Sequence, residues 1–153
     1  MVTMKEGRAV VLIVDDDINS LDVIMQNLRR AGYEAVPAVD GRTAMEIVRQ
    51  GVVDLAVVDY NLPDMNGLQV LKVIKGIMPG IPVIIMSASE MNHNNLLDLL
   101  EAGAYAFVPK PICVPDFIRT IGRALSTSGR STPQSSLRSS ILVRWTSWII
   151  RRG

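Results

Sequence analysis

Residues 55–67 read Leu55-Ala56-Val57-Val58-Asp59-Tyr60-Asn61-Leu62-Pro63-Asp64-Met65-Asn66-Gly67. An apolar run ends abruptly in a carboxylate, and a turn rich in Asn, Pro, Asp and Gly follows. A short continuous apolar run bounded by turn residues is the pattern of a strand buried on both faces, as in parallel sheets. Ligands of such sheets bind beyond the carboxyl ends of the strands, and Asp59 stands at that edge. Taken alone, Asp59 would be an ordinary turn-opening residue ahead of Pro63. Its neighbours in the fold decide between the two readings.

Upstream, residues 9–14 form a second apolar run that ends in Asp15-Asp16-Asp17, and Leu21, Ile24, Met25 and Leu28 follow at i, i+3, i+4 and i+7. This is a buried strand feeding an amphipathic helix. Arg29 and Arg30 suit the negative end of that helix, and Gly32 suits a left-handed cap. Residues 34–39 are strand-like, but Pro37 has no N–H for a ladder bond, which places the strand at a sheet edge. Asp40 caps a second helix through Gln50, with Ala44, Ile47 and Val48 inward, and Gly51 breaks it.

Downstream of Asp59, a third helix carries Leu68, Leu71 and Ile74 inward and stops before Pro79-Gly80. Residues 82–86 are a fourth strand running into Ser87-Ala88-Ser89. Leu96, Leu99 and Leu100 mark a fourth helix, with Gly103 as its cap and residues 105–108 as a fifth strand. After Lys110-Pro111, residues 115–125 form the last helix, with Phe117, Ile118 and Ile121 inward. Pro115 lies in its first turn, where a missing N–H leaves no bond unmade.

Five strands alternating with five helices predict an α/β fold, a doubly wound five-stranded parallel sheet with right-handed crossovers. The flavodoxin-like order 2-1-3-4-5 leaves strand 2 at an edge, as Pro37 requires, and sets the ends of strands 1 and 3 side by side. Asp15, Asp16 and Asp59 then converge.

A chain of 153 residues accommodates one domain with a real core, expected over residues 8–125. Although 48% of residues are hydrophobic, no apolar run reaches the ~18 residues of a membrane span, and the start lacks a signal-peptide core. A soluble, cytoplasmic protein is expected. Cys113 has no second cysteine to pair with, and its apolar neighbours give it a packing role. The net charge of +1 hides an asymmetry: Arg130, Arg138, Arg144, Arg151 and Arg152 lie in a tail without acidic residues, so the domain itself is mildly acidic. A non-specific nucleic-acid binder would be basic, and no direct nucleic-acid binding is expected of the domain.

Residues 126–136, rich in Ser, Thr, Gly and Pro, read as a flexible linker. In the tail, residues 137–153, Leu137, Ile141, Leu142, Trp145, Trp148 and Ile149 share one helical face. Two readings stand level: a native basic amphipathic helix that docks on a partner, a membrane surface or the domain, or else truncated or non-native sequence.

Three carboxylates close together repel, and such a site needs protons or a cation. An all-oxygen ligand set suits a hard ion, and Mg²⁺ commonly bridges carboxylates to phosphate oxygens. Ser87 beyond strand 4 and Lys110 beyond strand 5 face the same edge. Nucleophilic carboxylate, metal, hydroxyl and ammonium together are what a phosphoryl group needs.

In four stretches the chain resembles the receiver domains of two-component response regulators, in particular those like the chemotaxis regulators. They are Val14-Asp15-Asp16-Asp17, Val58 through Gly67, Met86-Ser87-Ala88 and Val108-Pro109-Lys110-Pro111, in the family's order and spacing. The resemblance implies that Asp59 accepts a phosphoryl group from a sensor histidine kinase or a histidine phosphotransfer protein. It implies that Asp16, Asp59 and the Asn61 backbone carbonyl ligate Mg²⁺ directly, with Asp15 acting mainly through water. Ser87 and Lys110 would contact the phosphoryl group, the Lys110-Pro111 bond would be cis, and Phe107 would be an aromatic switch that follows Ser87. Helix 4, strand 5 and helix 5 would form the output surface for a downstream protein, an output domain or a dimer partner. Asn61 and Ser89 fall at positions that tune the acyl phosphate's lifetime. Such a domain is no enzyme in the ordinary sense, but it assists its own phosphorylation and dephosphorylation.

Plainer readings apply to several residues. Asp17 is a helix-start residue rather than a ligand. His93, in a polar run without partners, is a solvated loop or helix-start residue. Phe107 is read equally as core and as switch. Two other functions compete. A phosphohydrolase of haloacid dehalogenase type would use Asp15 as nucleophile and Asp17 in its Asp-x-Asp, but leaves Asp59 without a role. The N-terminal fragment of a DNA-binding response regulator would need a DNA-binding domain after residue 125.

Overall fold

The computed structural model describes residues 8–88 and 91–128. The predicted tail, linker residues 129–136 and Ser89 lie outside the described residues. The elements alternate: β1 (Val10–Val14), α1 (Ile18–Arg30), β2 (Glu34–Ala38), α2 (Gly41–Arg49), β3 (Leu55–Asp59), α3 (Gly67–Ile77), β4 (Val83–Ser87), α4 (His93–Glu101), β5 (Ala106–Pro109) and α5 (Val114–Thr127). All four strand pairings are parallel, in the predicted order β2-β1-β3-β4-β5.

Side-chain alternation along the strands divides the core in two, because successive residues point to opposite faces. Leu12, Val14, Ala56, Val58, Val83 and Ile85 pack with Ala44, Val48, Val70, Leu71, Ile74, Leu96 and Leu99, residues of α2, α3 and α4. Val11, Ile13, Leu55, Val57, Ile84 and Met86 pack with Leu21, Ile24, Leu28, Phe117, Ile121 and Ala124 of α1 and α5. Each fully buried aliphatic or aromatic side chain contributes roughly 1.5–3 kcal/mol. This two-sided burial is why the strand sequences are apolar throughout rather than alternating.

Local signals act as predicted at several ends. Asp17 caps α1, accepting from the Asn19 and Ser20 amides, and Asp40 caps α2. Gly32, Gly51 and Gly103 all have positive φ, the conformation in which a glycine ends a helix without strain. His93 is the exposed first residue of α4.

Four expectations need correction. Val70 has to be added to Leu71 and Ile74 on the fully buried stripe of α3, while Leu68 is half-buried and packs against the same core. Ser87 is the last residue of β4 rather than the first of a loop. Ser126 and Thr127 continue α5, their hydroxyls bonding back to the Gly122 and Arg123 carbonyls, so the helix overruns the expected start of the linker. Cys113 is exposed: it is the residue before the first turn of α5, off the helix's buried stripe, and it has no packing role.

Candidate functional site

Strand register assembles the site. Val14 pairs with Val58, so Asp15 and Asp59, one residue further on, emerge side by side at the carboxyl ends of β1 and β3, Asp59 as the last residue of its strand. Asp59 pairs with Met86 and Ser87 with Pro109, which brings the end of β4 beside Asp59 and Lys110 beside Ser87. The Lys110 amide donates to the Ser87 carbonyl at 2.9 Å. Four residues separated by up to 95 positions in sequence thereby share one sheet edge.

Lys110 is the centre of the charge arrangement. Its Nζ donates to Asp15 Oδ2 and to Asp59 Oδ2, each at 2.7 Å. Asp15 is fully buried, and its other oxygen accepts from the Asp17 amide at 3.0 Å. Asp59 is 6% exposed, and its Oδ1 accepts from the Asn61 amide at 3.0 Å. Asp16 is exposed at the rim. Among the described residues, ligand oxygens of Asp15, Asp16 and Asp59 lie within 4.8 Å of one another.

Burial pushes the Asp59 carboxyl above its ordinary range, outweighing the Lys110 hydrogen bond and the Asn61 amide, which pull it down. Burial also weakens proton binding at Lys110, but its two carboxylate partners more than offset this and hold the ammonium above its usual range. The two directions are consistent: Lys110 has two anionic partners, whereas Asp59 shares its one cation with Asp15. The sequence set Lys110 against three carboxylates; the structure pairs it with two.

Ser87 is buried at the end of β4. Phe107 is 8% exposed within the cluster on the α2–α3–α4 face, and in this structure it is a core residue. The Lys110-Pro111 peptide bond is cis. Asp17 is occupied at the start of α1, outside the acidic cluster.

Two residues of the site's frame do not stand out in the sequence. A Cβ built on Gly67 would lie 2.8 Å from Tyr60 Cα and 3.1 Å from the Asp59 carbonyl oxygen, so α3 starts in direct backbone contact with β3. Asp64 reaches the first amides of α2. The signal for Gly67 is its place at the start of a helix, where glycine is otherwise a poor choice. No local pattern marks Asp64, because its partners lie 22 and 23 positions away.

The three carboxyl groups offer all-oxygen donors, the kind that suit a hard cation. Mg²⁺ holds its oxygen ligands at about 2.0–2.1 Å and keeps several waters. The oxygens of Asp15, Asp16 and Asp59 lie close enough together to hold a metal ion.

The arrangement defines a class: a doubly wound α/β domain with an acidic cluster and one lysine at the carboxyl edge of its parallel sheet. The chain belongs to the response regulator receiver domain family, whose model matches residues 11–121. It is 36% identical over 116 residues to the transcriptional regulatory protein ZraR of Escherichia coli (strain K12), covering 76% of this chain and 26% of ZraR. It is 38% identical over 119 residues to the DNA-binding transcriptional regulator NtrC of Bradyrhizobium sp. (strain RP501 Parasponia), covering 76% of this chain and 24% of NtrC. The chain therefore spans about a quarter of the length of these relatives. Among solved structures, a CheY-like receiver domain protein from Methanospirillum hungatei JF-1 superposes with a TM-score of 0.77 at 30% identity, over 80% of this chain and 97% of that one. The chemotaxis protein CheY4 of Vibrio cholerae does so with a TM-score of 0.72 at 27% identity, over 77% and 99%. The family and the placement of Asp17 leave the hydrolase reading, with Asp15 as nucleophile, without support.

Proposed function

We propose that this receiver domain is a phosphoacceptor switch in which Asp59 takes a phosphoryl group from a phosphohistidine of a sensor kinase or histidine phosphotransfer protein. The observation that carries the reading is the Lys110 ammonium held 2.7 Å from both Asp59 and Asp15, at the edge where Asp16 also stands. An Asp59 oxygen attacks phosphorus, the P–N bond breaks as the P–O bond forms, and the electron pair returns to the donor imidazole, which takes up a proton.

Asp16, Asp59 and the Asn61 carbonyl are the proposed direct ligands of Mg²⁺, with Asp15 acting through water. When bound, the ion supplies positive charge to the phosphoryl oxygens. Lys110 supplies a second positive charge and orients Asp59, leaving Asp15 as its remaining partner once a phosphoryl oxygen is engaged. Ser87 supplies a hydroxyl to another phosphoryl oxygen, and movement of Ser87 makes room for Phe107 to turn. In this way the domain assists its own phosphorylation and dephosphorylation, with lifetime tuned at Asn61 and Ser89.

The output surface is α4, β5 and α5, and the exposed Leu97 on α4 supports an apolar contact there with a protein target, an output domain or a second copy. A second reading, the receiver portion of a DNA-binding regulator, is favoured by ZraR and NtrC, which are several times longer and named as transcriptional regulators. Among the described residues no helix is long and apolar enough to cross a membrane; the proposed cytoplasmic location rests on the receiver family. Intact mass after incubation with acetyl phosphate tests the chemistry. A single phosphoryl adduct that requires Mg²⁺ and is lost in Asp59→Asn is expected; equal labelling of the variant contradicts it.

A further inference from the structure

Helix α2 opens with N–H groups that its own turns do not reach, those of Gly41, Arg42 and Thr43. Asp40 accepts from Thr43 at 2.8 Å. The other two donate to a carboxylate from a distant part of the chain: Gly41 N to Asp64 Oδ1 and Arg42 N to Asp64 Oδ2, each at 3.0 Å. Two adjacent amides on the two oxygens of one carboxylate fix its orientation as well as its position, and charge-assisted bonds of this kind are among the stronger ones. Met65 reinforces the contact, since a Cβ on Gly41 would lie 2.5 Å from Met65 Sδ.

Asp64 and Met65 form the tip of the β3–α3 loop. At the loop's neck the Gly67 amide donates to the Tyr60 carbonyl at 2.6 Å, and Asn61 bridges Asn66 in antiparallel fashion. Asn66 then caps α3 in a reciprocal box with Gln69. One loop therefore caps two helices, α3 at its neck and α2 at its tip, and Asn61 lies at the neck, bridged to the Asn66 that caps α3. We propose that Asp64 is a positioning residue for the metal side of the site: by holding the first amides of α2 it fixes the β3–α3 loop, and with it the Asn61 carbonyl. The inference rests on the reading of Asn61 as a metal ligand given above.

A cap that merely stabilised α2 would act on stability alone, and Asp40 provides the comparison because its carboxylate caps the same helix through Thr43, within its own turn. The test is Mg²⁺ titration of the full chain without a phosphoryl donor, followed by amide NMR shifts, alongside thermal unfolding. Asp64→Ala is expected to weaken Mg²⁺ binding about threefold to tenfold, less than loss of a group that touches a ligand directly. Asp64→Asn, which keeps an acceptor oxygen, falls between it and the wild type, and Asp40→Ala lowers the unfolding temperature but leaves Mg²⁺ affinity unchanged. Wild-type affinity in Asp64→Ala, or an equal loss in Asp40→Ala, overturns the inference while leaving the metal reading intact. A wild type that binds no Mg²⁺ overturns both. Should Asp64→Ala not fold, the position of Asp64→Asn relative to wild type decides the matter.

Discussion

Lys110 Nζ lies 2.7 Å from Asp59 Oδ2 and at the same distance from Asp15 Oδ2, so one ammonium ties the ends of β1 and β3 together from beyond β5. The contact is more than a surface ion pair, because the Asp15 side chain is fully buried and that of Asp59 nearly so. Breaking a buried pair by removing one partner leaves the other's charge without compensation.

Lys110→Ala is therefore expected to destabilise the Mg²⁺-free protein by about 3 kcal/mol, with Mg²⁺ restoring part of the loss. Urea unfolding with and without Mg²⁺ reads both effects. A variant as stable as wild type in the absence of metal would show that the ammonium does not compensate Asp15 and Asp59.

Gly67 and Gly76 predict opposite outcomes within one helix. The Cβ of Gly67→Ala would meet the Tyr60 Cα and the Asp59 carbonyl, backbone atoms that no side-chain rotation can clear. A loss of about 1–3 kcal/mol is expected, together with a weakened acidic site. At Gly76, also in α3, a Cβ would find nothing within 4 Å, so Gly76→Ala should gain about 0.4–1 kcal/mol. Urea midpoints of the two variants check the pair, and equal shifts would contradict the packing account.

Lys75 predicts a pH dependence. Its Nζ donates to the Ile81 carbonyl at 2.8 Å, and burial lowers its proton affinity below the ordinary value of 10.5. Between its folded pKa and 10.5 the unfolded chain holds more protons than the folded one, so stability from this group rises with pH across that window. Measured by urea unfolding from neutral pH toward 10.5, the wild type is expected to gain on Lys75→Met as pH rises. A difference that stays flat or narrows contradicts the assignment.

Much of this architecture was legible in the sequence because the central strands are covered on both faces. The runs ending at Val14, Asp59 and Ser87 are apolar without interruption up to their polar ends, and Pro37 excluded its strand from the centre. Asp15, Asp59, Ser87 and Lys110 were legible as strand-end residues, since the parallel topology brings those ends to one edge. What escaped depends on contacts across sequence. Asp64 reads locally as a turn residue, yet its carboxylate binds amides of α2. How deeply each apolar residue of α3 is buried depends on the helix's packing, which hydrophobic spacing does not encode: Val70 is fully buried, whereas Leu68 is half-buried against the same core. Of the apolar neighbours of Cys113, Ile112 packs against the core from the β5–α5 loop and Val114 opens α5, while Cys113 itself faces solvent.

Locating the phosphoryl group tests the central claim most directly. After incubation with acetyl phosphate and Mg²⁺, borohydride reduces an aspartyl phosphate to homoserine, and peptide mass spectrometry reads its position. Homoserine at position 59, absent without Mg²⁺, is the predicted result. Homoserine at position 15 or 16, or none at 59 in a protein that carries the phosphoryl adduct, would contradict the assignment of Asp59 as the acceptor.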